Sequence, residues 1–451
     1  MHISVVGLGK LGAPLAAVLA DRGHHVVGVD SSPDAVNAIN EGRAPVQEPG
    51  LDALVAAGRS RLTATTDGAA AAASSEATVI IVPTPSLPSG LFSTEYVLDA
   101  IDKIGQGLRR TTAYHLVVVT STVAPGTMDA DIAPALERAS GRRLGTSLGL
   151  CYNPEFIALG SVIRDMQNPD FVLIGESDRR AGDTLEQIQR SIVGDSTPVC
   201  RMNLVNAEVA KIAVNTYVTT KISYANMLSE LCEHLPGGDV SVVTDAIGLD
   251  RRIGARFFRA ALGYGGPCFP RDNAAFLAVA RARGVNGDIA AATDTVNRRQ
   301  VSRLAAIVES HLAGTDQRVA VLGLSYKPDT NVVEESQGVM LANRLASDGK
   351  FVTVFDPAAL DNAATFLAPS VQPAASLADC VTAADVIVVT VAWPQFRDLS
   401  TLIATLPRRR RVIVDCWRII DRAQLEPITQ VIYVGADRTA EQAVAASRSE
   451  Q

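Results

Sequence analysis

The stretch Gly263-Tyr264-Gly265-Gly266-Pro267-Cys268-Phe269-Pro270-Arg271-Asp272 has the make-up of a reactive loop. Its glycines let a ligand touch backbone, its prolines stiffen the chain, and one thiol lies between them. Cys232 and Cys380 instead sit in apolar segments, where a thiol packs as a small hydrophobe. Arg271 and a helix expected to begin near Asp272 favour the thiolate, so Cys268 reads as a nucleophile. On a long helical stretch, Lys211 and Asn215 lie four residues apart and share a face, with Glu208 one turn back. Taken alone, that pattern favours a solvated polar face.

A second set of residues could hold a phosphorylated ligand. Gly7-Leu8-Gly9-Lys10-Leu11-Gly12 follows an apolar strand and opens a helix. Gly7 permits the tight turn, Gly9 lets a pyrophosphate approach the backbone, and Gly12 lets helix and strand pack closely. The pyrophosphate would lie on the helix N-terminus, where unpaired N–H groups and the dipole favour an anion. Asp30 ends the second strand, about 20 residues on, where a carboxylate accepts from ribose hydroxyls and repels a 2′-phosphate. Ser31-Ser32-Pro33 holds no Arg, so NAD is expected in preference to NADP. Two further turns end apolar runs. Ser121-Thr122-Val123-Ala124-Pro125-Gly126-Thr127 carries hydroxyls, and Cys151-Tyr152-Asn153-Pro154-Glu155-Phe156 carries an acid in a Pro-fixed turn. Open α/β sheets bind ligands at such strand ends.

The elements that must position these residues follow a repeating pattern. Ile3–Val6, Val26–Val29, Val79–Val82 and Leu116–Thr120 are apolar at consecutive positions, as strands buried on both faces of a parallel sheet require. Ala13–Arg22 and Pro33–Glu41 read as intervening helices, which makes a βαβ series. A second series starts late, with Val319–Leu322, Val352–Phe355, Val386–Val391 and Val412–Val414. It opens like the first, with Gly323-Leu324 and Asp356 answering Gly7-Leu8-Gly9 and Asp30. Between the two series, Asn206 to about His234 is free of Pro and Gly and alternates at helical spacing, for a helix on the order of 40 Å. Pro236-Gly237-Gly238 ends it, and its exposed length suits pairing with a second subunit. The predicted fold class is α/β: two Rossmann-like doubly wound parallel-sheet domains joined by a helical central domain. The expected domains are 1–200, 201–300 with the cysteine loop, 301–438, and a flexible tail at 439–451.

The 451 residues are 47% apolar and 20% charged, which suits a globular protein and excludes a disordered chain. With 48 acidic against 41 basic residues the net charge is −7, so no nucleic-acid partner is expected. No apolar run nears the ~20 residues needed to cross a bilayer, so no membrane partner is expected either. The start, Met1-His2-Ile3-Ser4-Val5-Val6, has no basic leader, and the six scattered cysteines form neither a disulfide framework nor a metal pattern. These features point to a cytoplasmic location and to no bound metal. Arg408–Arg411 reads as a solvated turn before a strand.

Together these residues resemble the UDP-glucose/GDP-mannose dehydrogenase family over nearly the whole chain. The landmarks occur in order: the glycine motif, Glu48-Pro49-Gly50-Leu51, Val82-Pro83-Thr84-Pro85, Ser121-Thr122-Val123 with Pro125-Gly126-Thr127, and Asn153-Pro154-Glu155-Phe156. Ala207-Glu208 with Lys211 and Asn215 follows, then Gly265-Gly266 with Cys268-Phe269-Pro270 and Asp272. Leu322-Gly323-Leu324-Ser325-Tyr326-Lys327-Pro328 and Phe355-Asp356-Pro357 complete the series.

The resemblance implies a four-electron oxidation of a nucleotide sugar's C6 alcohol to the uronic acid with two NAD⁺. The branch most similar acts on UDP-glucose; dTDP-glucose, GDP-mannose and UDP-N-acetylhexosamines are the alternatives. Cys268 is implied to form a thiohemiacetal and then a thioester. Lys211 and Asn215 would stabilise the oxyanion at C6, Asp272 with Thr122 through a water would transfer protons, and Glu155 would activate the hydrolytic water. Cofactor contacts are implied for Gly7, Gly9, Lys10, Leu11, Gly12, Asp30, Pro83, Thr84, Ser121, Thr122 and Arg271. Substrate contacts are implied for Glu155, Phe156, Ile157, Lys211, Asn215, Phe257, Tyr264, Gly265, Tyr326, Lys327 and Arg418. Arg252 is implied to reach the sugar site of a neighbouring subunit in a homodimer formed through the central helices.

The sequence departs from the family pattern at four places. Leu159 replaces a common acid, Pro267 a Ser, Arg271 a Lys, and Glu334 an Arg that contacts the cofactor. Two other classes stay open. A two-electron β-hydroxyacid-type dehydrogenase needs neither Cys268 nor a second nucleotide-binding lobe, and a non-enzymatic NAD sensor is motivated only by Glu334 and Leu159.

Overall fold

Runs of consecutive β-branched residues present no polar face, so they form strands where helices cover both sides of a sheet. The computed structural model describes residues 1–157, 159–312, 317–407, 409–425 and 428–438 and contains two such sheets. Its contacts divide the chain into two compact units, residues 1–214 with 278–284, and residues 215–277 with 285 onward.

The first unit is built on eight strands: β1 (His2–Val6), β2 (His25–Val29), β3 (Leu62–Thr65), β4 (Ala77–Ile80), β5 (His115–Val119), β6 (Leu148–Tyr152), β7 (Val172–Glu176) and β8 (Val199–Asn203). Their order is β3-β2-β1-β4-β5-β6-β7-β8. Neighbours are parallel except β6 and β7, so β7 and β8 run against the rest. Ile3, Val5 and Val118 pack with helix α1 (Gly12–Asp21) on one face, and Ile80, Val117 and Val119 fill the other. Ser32 caps α2 (Pro33–Asn40), and Pro33 occupies its first turn. The strand order reverses between β1 and β4, which makes the turn leaving β1 the switch point where doubly wound sheets bind ligands.

The second unit holds β9 (Arg318–Leu322), β10 (Phe351–Phe355), β11 (Gln372–Pro373), β12 (Val386–Val389), β13 (Val412–Asp415) and β14 (Gln430–Tyr433). All are parallel, in the order β11-β10-β9-β12-β13-β14, the same winding as the start of the first sheet. The likeness between the two halves extends to register, since Val352 pairs with Val319 as Val26 pairs with Ile3.

Between the sheets in sequence lies helix α3 (Leu204–Glu233), whose 30 residues span about 45 Å. The boundary between the two units falls within it, between Val214 and Asn215. Later helices are α4 (Phe269–Ala282), α5 (Asp288–Ser310) and α6 (Gln337–Ser347).

The polar stripe of α3 is its buried side, which overturns the solvated face expected for Glu208, Lys211 and Asn215. Glu208 is 0% exposed, and Lys211, Asn215, Thr219, Ser223, Asn226, Ser229 and Glu233 are buried as well. Val209, Tyr217, Tyr224, Met227 and Leu231 are its exposed large apolar residues. The inversion is tolerated because the buried groups find partners. Within the second unit, for example, Glu233 pairs with Arg303 at 2.6 Å and accepts from the Gly435 N–H at 2.8 Å.

Among the described residues no helix is long and apolar enough to cross a membrane, and no group of three or more potential ligands is placed to hold a metal ion. The expected tail at 439–451 and Arg408 lie outside the described residues.

Candidate active site

The glycine motif of the first unit has the shape its spacing predicts. Gly7 has φ +101°, and a Cβ there would lie 2.5 Å from the Ile81 carbonyl oxygen. A Cβ on Gly12 would lie 1.8 Å from the Gly7 oxygen, so only glycine lets α1 pack against this turn. Gly9 has nothing within 4 Å of such a Cβ, so the space above it is open for a phosphate. Leu11, at the head of α1, offers no side-chain cap, which leaves the helix N-terminus available to an anion.

Asp30 and Asp356 hold the same motif position in the two units and meet different fates. Asp30 is partly exposed and accepts two hydrogen bonds, from the Leu8 N–H at 2.7 Å and the Ser32 N–H at 2.8 Å. A carboxylate has about four lone-pair sites, so capacity remains for ribose hydroxyls. Asp356 is 3% exposed and accepts from the N–H groups of Leu324, Ser325, Ala358 and Ala359, the Ser325 hydroxyl and the Trp393 indole. It has no capacity left. In the second unit Ser336 also caps α6, so the dinucleotide site fits the first unit.

The other strand ends of the first unit are stitched together by their own hydroxyls. Ser121 donates to the Val82 carbonyl at 2.7 Å and accepts its N–H at 2.9 Å, beside Pro83. Thr84 donates to the Thr122 carbonyl at 2.8 Å. The loop after Thr122 is anchored by Glu208, which accepts from the Gly126 and Met128 N–H groups at 2.7 Å each. Burial pushes the Glu208 carboxyl up to about 7 in spite of those bonds.

Glu155 follows β6. Burial pushes its carboxyl up to about 7, opposed by the Lys211 charge. Lys211 donates to the Glu155 main-chain carbonyl at 2.8 Å, and its ammonium sits 4.7 Å from the centre of the Phe156 ring. Ile157 and Leu159 pack against the core of the first unit, so Leu159 stands as a wall residue where an acid is common.

In the second unit Cys268 is exposed and immediately precedes α4. Its carbonyl accepts the Asp272 N–H at 2.8 Å, so it caps a helix that begins one turn earlier than expected. Asp272 is 1% exposed, with one carboxylate oxygen 2.6 Å from Asn215 Nδ2 and the other 3.4 Å from Arg271. Tyr326 packs on Gly266, where a Cβ would come within 2.6 Å of its ring, and Lys327 lies 5.9 Å from the centre of that ring. Burial, then the nearby charges of Cys268 and Glu334, push the Tyr326 hydroxyl up to about 12, so it stays a donor at neutral pH. Gly265 passes the Glu335 carbonyl so closely that a Cβ would lie 2.3 Å from it. Tyr264 is buried edge-on against Phe269, which also meets exposed Phe257, a residue at φ +58°.

Two expected ligand-gripping cations are held by acids of their own chain. Arg252 is bound to Asp250, with contacts of 2.6–3.1 Å. Arg418 is bound to Asp239 at 2.8 and 2.9 Å. The structure thus gathers Glu155, Phe156 and Lys211 in the first unit, and Asn215, Cys268, Arg271, Asp272 and Tyr326 in the second. The sequence reading passed over Asn226 and Asn297, whose amides bind the main chain leading to Cys268. The available signal was an Asn inside a helix, where its short polar side chain is disfavoured.

Comparison with known proteins shows the family of the chain. Family models of the UDP-glucose/GDP-mannose dehydrogenase family match the chain in three segments: the NAD binding domain at 1–193, the central domain at 205–299 and the UDP binding domain at 320–422. The chain is 37% identical to UDP-glucose 6-dehydrogenase AglM of Haloferax volcanii over 428 residues, 94% of this chain and 98% of that protein. It is 35% identical to GDP-mannose 6-dehydrogenase of Pseudomonas putida over 79% of this chain and 81% of that one. A UDP-glucose dehydrogenase structure from Pyrobaculum islandicum superposes with a TM-score of 0.85 at 34% identity, covering 96% of this chain and 97% of that one. The open glycine cradle, the unsaturated Asp30 and these matches make the chain an NAD-dependent nucleotide-sugar dehydrogenase that belongs to the UDP-glucose/GDP-mannose dehydrogenase family.

Proposed function

We propose that the chain oxidises the C6 alcohol of UDP-glucose to the carboxylate, using Cys268 as the nucleophile. The observation that carries this reading is the placement of Cys268. It is an exposed thiol at the head of the 14-residue α4, one turn before a buried Asp272 that Asn215 holds at 2.6 Å. Support for UDP-glucose comes from similar proteins named for it, at 37% identity for the Haloferax volcanii enzyme and a TM-score of 0.85 for the Pyrobaculum islandicum structure, against 35% identity for the GDP-mannose enzyme of Pseudomonas putida.

Gly9 and Asp30 would hold NAD⁺, which would supply the hydride acceptor, one molecule for each of two oxidations. In the first, C6 loses a hydride, and Asp272, with Thr122 through a water, takes the hydroxyl proton. Lys211 and Asn215 stabilise the charge that builds on the C6 oxygen. The Cys268 sulfur then bonds to the aldehyde carbon while the oxygen takes a proton. The resulting thiohemiacetal keeps one hydride on C6, and its loss with the hydroxyl proton leaves a thioester. Glu155 takes a proton from the water that attacks the thioester, and the S–C bond breaks to return the thiol. One alcohol, two NAD⁺ and one water give one carboxylate, two NADH and three protons.

The exposed Tyr217, Tyr224 and Leu231 recur every seven residues along α3 and form the face through which two copies pair. The test of the function is a panel of UDP-glucose, dTDP-glucose, GDP-mannose and UDP-N-acetylhexosamines with NADH and product counted. The highest kcat/KM should fall on UDP-glucose, with two NADH and one carboxylate per sugar. One NADH with an aldehyde or ketone product overturns the mechanism. A higher kcat/KM on another sugar overturns the substrate.

A further inference from the structure

The chain that delivers Cys268 belongs to neither helix nor strand from residue 258 to 265, yet Ala261, Leu262 and Tyr264 are buried. Buried main-chain N–H and C=O groups need partners, and no strand supplies them here. Two asparagine side chains do. Asn226, on α3 and 0% exposed, accepts the Ala261 N–H at 3.1 Å and donates to the Leu262 carbonyl at 2.8 Å. Asn297, on α5 and 5% exposed, accepts the Tyr264 N–H at 2.7 Å and donates to the Tyr264 carbonyl at 3.0 Å. Each amide uses both its donor and its acceptor on main chain, as an adjoining strand would. A Cβ on Gly263 would lie 2.6 Å from Asn297 Oδ1, so a side chain at that position would push the clamp apart. Beyond Tyr264 the path is held again, by the Gly266 N–H donating to the Glu334 carbonyl at 2.9 Å and by the first turn of α4.

We infer that Asn226 and Asn297 are positioning residues for the Cys268 thiol, which clamp the loop so that the sulfur meets the sugar carbon at bonding distance. The inference rests on the reading of Cys268 as the nucleophile. Both amides act through the loop and not on the reacting atoms. Their loss therefore affects the steps in which sulfur bonds carbon and spares hydride removal from the alcohol.

The test compares Asn226→Ala, Asn297→Ala and Cys268→Ser in the full chain, with NAD⁺ and the nucleotide sugar of highest kcat/KM. Rapid quench separates first NADH, free aldehyde, second NADH and carboxylate, and thermal midpoints are recorded alongside. In both Asn variants the aldehyde should accumulate and the second NADH should form about 10²-fold more slowly, the cost of a misplacement near 1 Å. The first NADH should keep close to the parent rate. Asn297→Asp retains the acceptor for the Tyr264 N–H and loses only the donor, so its second step should fall between parent and alanine variant. If the alanine variants do not fold, this variant carries the test by the same split. If both NADH rates fall together, or neither falls, while Cys268→Ser stalls at the aldehyde, the clamp is refuted and the nucleophile stands. If Cys268→Ser yields two NADH at the parent rate, the nucleophile reading fails and the clamp's purpose fails with it.

Discussion

Glu155→Gln removes one charge from the first unit with little change of shape. Burial raises the Glu155 carboxyl from 4.5 to about 7 against the pull of Lys211. At about 1.4 kcal/mol per pKa unit, that rise disfavours the buried carboxylate by about 3 kcal/mol. For an acid whose folded value is raised, the penalty is absent below 4.5, grows as pH rises to about 7, and is constant above that. As a base, Glu155 works only as the carboxylate, so thioester hydrolysis should rise with pH and level off above about 7. Glutamine takes no proton from water, and loss of a general base costs roughly 10²–10⁴-fold, while the steps that build the thioester continue. Stopped-flow mixing with excess NAD⁺ and substrate should give a burst of two NADH per site, then slow turnover. Acid-quenched protein should carry a sugar acyl group on Cys268, and the inflection near 7 should vanish from the slow rate. The substitution should also raise the thermal midpoint above pH 7 and change it little below 4.5. A burst of one NADH, no burst, or an unshifted mass refutes Glu155 as the hydrolytic base.

Asp30→Ala should narrow the NAD⁺ preference over NADP⁺, expected at about 1–3 kcal/mol in the parent, because the free lone pairs of Asp30 are lost. A parent that uses NADP⁺ equally well contradicts that role. Lys211→Met removes the charge that holds the Glu155 carboxyl down, so the pH inflection of hydrolysis should move above 7; an unmoved inflection, measured by rapid quench, contradicts the coupling. Tyr224→Arg places a charge on an exposed apolar face and should convert a dimer to a monomer in sedimentation, with the circular dichroism unchanged. An unchanged dimer places the interface elsewhere.

Much of the scaffold was legible because it depends on neighbours in sequence. β1, β2, β4 and β5, and later β9, β10, β12 and β13, are mostly apolar, and burial on both faces leaves that signature. β11 spans two residues and β8 includes Arg201 and Asn203, so neither carries the signal. The head of α4 was placed one turn late because Phe269-Pro270 reads as loop, although Pro is well suited to the first turn of a helix.

The roles of Gly7 and Gly12 were determined by sequence alone, since a positive φ and a tight turn are properties of the local chain. Cys268 was marked by its own flanking glycines and prolines in the same way. Only tertiary structure decided which side of α3 is wet. A polar side chain can be buried where distant main-chain groups meet it, and Glu208 is met by Gly126 and Met128 some 80 residues earlier. The same reason separates Asp30 from Asp356. Their local motifs match, but Trp393 and the Ser325 hydroxyl fill the remaining lone pairs of Asp356, and no such donors reach Asp30. Hydrogen-bond capacity is spent by whatever the fold brings near, so identical positions in two similar sheets end as a carboxylate with open lone pairs in one and a closed structural anchor in the other.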